Sequence, residues 1–117
     1  MDRRIQIVRS KIESNPAVEF SELAAMVNLS ESRLRHLFKK ETGTTYKHYL
    51  REVRLRRAEV MLRKTFLSVK EIANSVGLNA MSHFVRDFKK VYGVSPTVFR
   101  LRNGVARNRG RNKKNGT

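Results

Sequence analysis

Apolar residues along the chain recur three and four positions apart, not at every second position, which predicts helices rather than strands. Ile5, Val8 and Ile12 form a one-sided stripe on a first helix, and Asn15-Pro16 ends it, because the residue before a proline is pushed out of the helical region. Ser21 is placed to cap a short second helix carrying Leu23, Ala24 and Val27, and Asn28 tolerates the left-handed turn after it. Ser30 caps a third helix with Leu34, Leu37 and Phe38 inward and Gly43 closing it. Thr44 or Thr45 caps a long fourth helix to about Lys64, with Leu55, Ala58, Met61 and Leu62 as its inward stripe. Ser68-Val69-Lys70-Glu71 fits a capping box and opens a fifth helix with Ile72, Ala73 and Val76, after which Gly77 turns the chain. Asn79 is the expected cap of a sixth helix with Phe84 and Phe88 inward and Gly93 at its end. Ser95-Pro96, a cap followed by proline at the first helical position, starts a last short helix. The expectation is an all-α fold of about seven helices.

The chain also repeats itself. Glu22-Leu23-Ala24 matches Glu71-Ile72-Ala73 at an offset of 49, and Phe38-Lys39-Lys40 with Gly43 matches Phe88-Lys89-Lys90 with Gly93 at an offset of 50. One extra residue therefore falls between these landmarks in the second copy, near the turn. Each copy reads as short helix, tight turn, longer helix, with a small Ala24 or Ala73 where the helices pack, which is a helix-turn-helix. The expected division is a first helix-turn-helix subdomain over 1–44, a linker helix over 45–64, a second subdomain over 65–102 and a tail over 103–117. A linker of roughly 18–20 residues is about 27–30 Å long at ~1.5 Å per residue. Successive major-groove faces on one side of B-DNA lie about 34 Å apart. One chain is thus expected to act as its own pseudo-dimer, a monomer on DNA.

Charge sharpens this reading. With 26 Lys and Arg against 10 Asp and Glu, the net charge is +16 and the pI about 11.3. Folding does not require such an excess, which costs self-repulsion and favours polyanions. The tail carries Arg107, Arg109, Arg111, Lys113 and Lys114 with no acid and no periodicity, and reads as a disordered basic segment. No cysteine occurs, which removes disulfides, thiolate zinc sites and a cysteine nucleophile. No run of about 18 apolar residues and no signal-peptide core are present, so a cytoplasmic, nucleoid-associated protein is expected, with no membrane partner. His36, His48 and His83 lack metal-ligand spacing. Ser82, His83 and Asp87 share one short helix without an oxyanion-hole loop, so they are not read as a triad. No enzyme, cofactor or metal is expected.

The second helix of a helix-turn-helix can lie in the major groove, where its N-terminal half reaches base edges. With Leu34, Leu37 and Phe38 inward, Ser32, Arg35, His36 and Lys39 face out. Arginine can donate two hydrogen bonds to guanine, and serine and histidine also reach base edges. A surface ion pair from Arg35 to Glu31 is the bland alternative. In the second copy Met81, Ser82, Val85, Arg86 and Lys89 face out, and Met81 and Val85 donate no hydrogen bonds. Lys39, Lys40, Lys89 and Lys90 are placed to meet phosphates. RNA binding is the rival that the charge would also suit, but most aromatics sit in core registers rather than exposed for base stacking. Sequence-independent architectural DNA binding is the second rival.

The ordered copies, the linker helix and the ending FVRDFKKVYGVSPTVFR resemble the DNA-binding domain of the AraC/XylS family of bacterial transcription regulators. The resemblance spans about Ile5 to Arg102, and EIANSVGL followed by SHFVRDFKKVYGVSP is its most specific part. It implies sequence-specific binding of double-stranded DNA, with the helices from near Ser30 and Asn79 in adjacent major grooves. The family's base-reading positions would then fall on Ser32, Arg35 and His36, and on Met81, Ser82, Val85 and Arg86. RNA polymerase becomes a second candidate partner. The resemblance further implies either the C-terminal part of a longer regulator or a small stand-alone one.

Overall fold

The structure, a computed structural model, describes residues 1–78 and 80–104. Every element among the described residues is a helix: α1 Arg3–Ser14, α2 Phe20–Met26, α3 Glu31–Thr42, α4 Tyr46–Lys64, α5 Val69–Ser75, α6 Met81–Tyr92 and α7 Pro96–Asn103. They form two compact units that divide within α4, after Arg54.

In the first unit, Ile5, Val8 and Ile12 of α1 are fully buried, as their spacing predicts. They join Leu23, Leu34 and Phe38 in one core, which α4 completes with Tyr46, Leu50 and Val53. Asn15 caps α1, and the buried Pro16 follows; the Pro16 carbonyl accepts a 2.8 Å hydrogen bond from Arg54 Nε. This bond satisfies a turn carbonyl that burial would otherwise leave costly. Ser21 does not cap α2. The helix starts two residues earlier than that cap would place it, with Glu19 at the cap position and no side-chain cap bond. The start is set by packing instead: the Phe20 ring centroid lies 4.1 Å from that of Tyr46. Leu37 is partly buried and packs on the rim of the core.

Asn28 is left-handed, with φ 58°, and Leu29 N donates to the Ala24 carbonyl at 3.1 Å. The second unit repeats this turn, with Gly77 at φ 85° and Leu78 N donating to the Ala73 carbonyl at 2.8 Å. Asparagine and glycine therefore serve the same backbone geometry. Equivalent turn bonds end at Leu29 and Leu78, and equivalent cap positions follow at Ser30 and Ala80. The offset thus changes from 49 to 50 between Leu78 and Ala80. The expected cap Asn79 lies outside the described residues; the N-cap position of α6 is Ala80, which makes no side-chain cap bond.

The second unit buries Leu55, Ala58 and Leu62 of α4 against Ile72, Ala73, Val76, Phe84 and Phe88. Met61, expected in the inward stripe, is only partly buried and packs against this core. The apolar positions of α4 do not form one stripe, because its first half serves one core and its second half the other. Ser68 and Glu71 form the expected capping box. Ser95 Oγ accepts from Val98 N at 3.3 Å, with Pro96 opening α7. Phe99 of α7 meets Phe88 edge-on at 5.5 Å. Arg100 donates to the carbonyls of Leu62 and Thr65, tying α7 to the end of α4 much as Arg54 ties α4 to the first turn. Asn103, expected at the head of the tail, is the last residue of α7. The basic segment beyond Gly104 lies outside the described residues.

Candidate nucleic-acid interface

α3 is held at both ends by local chemistry. Ser30 Oγ accepts from Arg33 N at 3.1 Å, and Gly43 closes the helix at φ 81°. Leu34 and Phe38 are fully buried, so their core contacts fix the rotation of the helix. Ser32, Arg35, His36, Lys39 and Lys40 consequently face out and are exposed. The structure separates them into two flanks. Ser32, His36 and Lys40 line an open groove with Arg4, Leu29, Arg33 and Leu37. Arg35 and Lys39 instead line a notch with Thr45, Tyr46 and Lys47. The sequence missed Lys47 and Thr45 as neighbours of α3; the signal available was the close spacing of Gly43 and the α4 cap, which brings the start of α4 back towards α3.

Arg35 has partners within its own unit. Its Nη2 lies 3.6 Å from Glu31 Oε1 and its guanidinium 4.7 Å from the Phe20 ring centroid. More than half of its side chain is exposed, so the ion pair is worth about 0–1 kcal/mol and the ring contact about 0.5–1 kcal/mol. Both are small beside a bidentate bond to a base, about 1–3 kcal/mol. Below it, burial pushes the Tyr46 hydroxyl above its ordinary pKa, with Arg54 pulling the other way. The phenol therefore stays neutral near pH 7. Burial lowers the pKa of Arg54 from a value so high that the guanidinium remains charged.

α6 is rotated by the same device, with Phe84 and Phe88 fully buried and their rings 5.8 Å apart. Met81, Ser82, Arg86, Lys89 and Lys90 are exposed, while Val85 is half-buried. Arg86 Nε lies 3.4 Å from Asp87 Oδ1, on a side chain that is 65% exposed and open to a second partner. His83 is exposed on the same helix. No three His, Cys, Asp or Glu side chains among the described residues gather where they could hold a metal ion. No described helix is long and apolar enough to cross a membrane.

Residues 23–102 match the family model described as a helix-turn-helix domain, over well more than half of the chain. The Msm operon regulatory protein of Streptococcus mutans is 37% identical over 95 residues, covering 81% of this chain and 34% of that protein. The arabinose operon regulatory protein of Escherichia coli K12 is 31% identical over 103 residues, covering 86% of this chain and 35% of that protein. The chain spans about a third of the length of these curated relatives. Among solved structures, the C-terminal domain of AraT, a response regulator from Geobacillus stearothermophilus, superposes with a TM-score of 0.77 at 26% identity, covering 99% of this chain and 98% of that one. Signature, helix order, family match and relatives agree: the chain belongs to the AraC/XylS family of bacterial transcription regulators, as a helix-turn-helix DNA-binding domain.

Proposed function

We propose that this domain directs a bacterial transcription regulator to its promoters by reading double-stranded DNA with two helices, α3 and α6, in adjacent major grooves. One observation carries the reading. In both units the longer helix of the pair has its apolar side fully buried, at Leu34 and Phe38 or at Phe84 and Phe88, and turns a polar, cationic side outward. Ser32, Arg35 and His36 read bases under α3, and Met81, Ser82, Val85 and Arg86 under α6. Lys39, Lys40, Lys89 and Lys90 contact phosphates. The domain works in the cytoplasm on the nucleoid, as a monomer without cofactor or catalysis, and RNA polymerase is its second partner at the promoter.

Selection of bound sites from a random duplex library by this chain tests the proposal. Enrichment of one motif with two separated conserved blocks is expected. Equal retention of all sequences would identify an architectural binder instead, and a preference for single-stranded RNA over any duplex would overturn the reading.

A further inference from the structure

The lysines assigned to phosphate by the repeat are the same in both units, but their surroundings are not. In the first unit Arg35, Lys39, Thr45, Tyr46 and Lys47 line a notch of about 320 Å³ between α3 and the start of α4. Three of the five are cations and none is an acid. Neither Lys39 nor Lys47 has a carboxylate partner among the described residues, and the first turn of α4 contains no acidic residue. Thr45 Oγ1 accepts from His48 N at 3.1 Å, which leaves its hydroxyl hydrogen free to donate outward. The offset of 50 carries these positions onto Val85, Lys89, Ser95, Pro96 and Thr97 in the second unit, where one cation remains. Two unpaired ammonium groups beside a hydroxyl donor, in a concavity on the flank of a recognition helix, suit a singly charged oxyanion with several acceptor oxygens.

We infer that the α3–α4 notch grips one phosphodiester of the DNA backbone through Lys39, Lys47 and Thr45, a site that the second unit lacks. The inference rests on the DNA-reading role proposed above. The notch makes the first unit the stronger electrostatic anchor, and Lys47 its dedicated residue. Lys47 lies outside the base-reading set, so removing it changes grip without changing what is read.

The test is carried out on the full chain, with the selected duplex and an unrelated duplex, titrated from about 50 to about 200 mM salt. Each phosphate contact contributes about 0.9 to the slope of log affinity against log salt. Lys47→Gln should flatten the slope by up to about that amount on both duplexes, Lys39 keeping part of the contact, and leave the preference between them unchanged. Its affinity deficit relative to the unmodified chain should shrink, by up to about 3.5-fold, across that salt range. Lys11→Gln, which removes the same charge from α1, should leave the slope nearly intact. Ethylation of one backbone phosphate should interfere with binding of the unmodified chain and interfere less for Lys47→Gln, which keeps only Lys39 and Thr45 at that phosphate. An unchanged slope for Lys47→Gln, an equal flattening by Lys11→Gln, or an unaltered ethylation pattern each overturns the notch. Thermal melting of both variants confirms that the fold is kept. If the unmodified chain shows no preference between the duplexes, the DNA-reading role fails instead, an outcome distinct from any failure of the notch.

Discussion

Two residues of the first unit give measurable predictions, one for the proposed base reading and one for folding. Arg35 sits over Phe20 with Glu31 beside it, a posture that holds the guanidinium on the outer side of α3. Its local partners are weak, so Arg35→Ala should leave thermal stability nearly unchanged, within about 1 kcal/mol. The same change should cost about 1–3 kcal/mol of affinity on the preferred site and relax the preference there. Val85→Ala, at the equivalent place on α6, should cost less, because an apolar contact discriminates less than a bidentate one. Affinities of both variants against every single-base change across the site check this; greater stringency under Val85 would refute it. Asn28 is the second case. It holds φ 58° on the surface, and a β-branched side chain there should cost about 1–2 kcal/mol. Asn28→Val should therefore destabilise by that amount while Asn28→Gly is neutral or stabilising, as read by denaturant unfolding. Equal stability of the two variants would show that the turn is not strained. At this scale the sequence was most legible where burial governs: Phe38, Phe84, Phe88 and the α1 stripe follow from spacing alone. It was silent on the split of the α3 surface, since the division of Ser32 and His36 from Arg35 and Lys39 depends on which neighbour lies across each flank.

Helix ends show where local chemistry governs and where packing does. Ser30, Ser68 and Ser95 cap as their motifs require, each accepting from the amide three residues on. Ser21 does not, because the Phe20 ring is drawn against Tyr46 and carries the helix start with it. The long α4 misleads for a related reason. Its expected stripe contained only the residues serving the second core, and Tyr46, Leu50 and Val53, which serve the first, were missed because one helix contributes to two cores in turn. The capping box gives a pH test. Glu71 Oε1 accepts from Ser68 N at 2.8 Å, and this bond, with the side-chain bond to Ser68, holds the carboxyl below its ordinary value of 4.5. A depressed folded-state pKa stabilises the fold at pH values above 4.5 and ceases to do so as pH falls through the lowered value. Glu71→Ala should accordingly melt lower than the unmodified chain at about pH 6, and the gap should close towards about pH 3. A gap that is constant with pH would mean the residue acts through helix propensity rather than through its charge.

Whole-molecule behaviour follows from the duplication, the feature most plainly written in the sequence. Two copies of one unit, offset by 49 and then 50 residues, each fold around their own core and each expose one outward helix. A single helix-turn-helix ordinarily needs a second chain to read two half-sites, and the site is then palindromic because the protein is symmetric. On the proposed reading the second reader is covalently attached and differs from the first, with Ser32, Arg35 and His36 against Met81, Ser82, Val85 and Arg86. The preferred site should therefore be non-palindromic, with its two halves unlike. One chain should occupy a site of roughly 20 base pairs, the span of two adjacent major grooves. Covalent linkage also raises the local concentration of the second reader once the first has bound, so occupancy should follow a simple one-site curve rather than a steep dimeric one. Sedimentation of the complex on the minimal selected duplex measures the stoichiometry directly. One chain per duplex on an asymmetric site is the expected result. Two chains on a palindrome would mean that only one reader of each chain engages DNA and that the duplication serves another purpose.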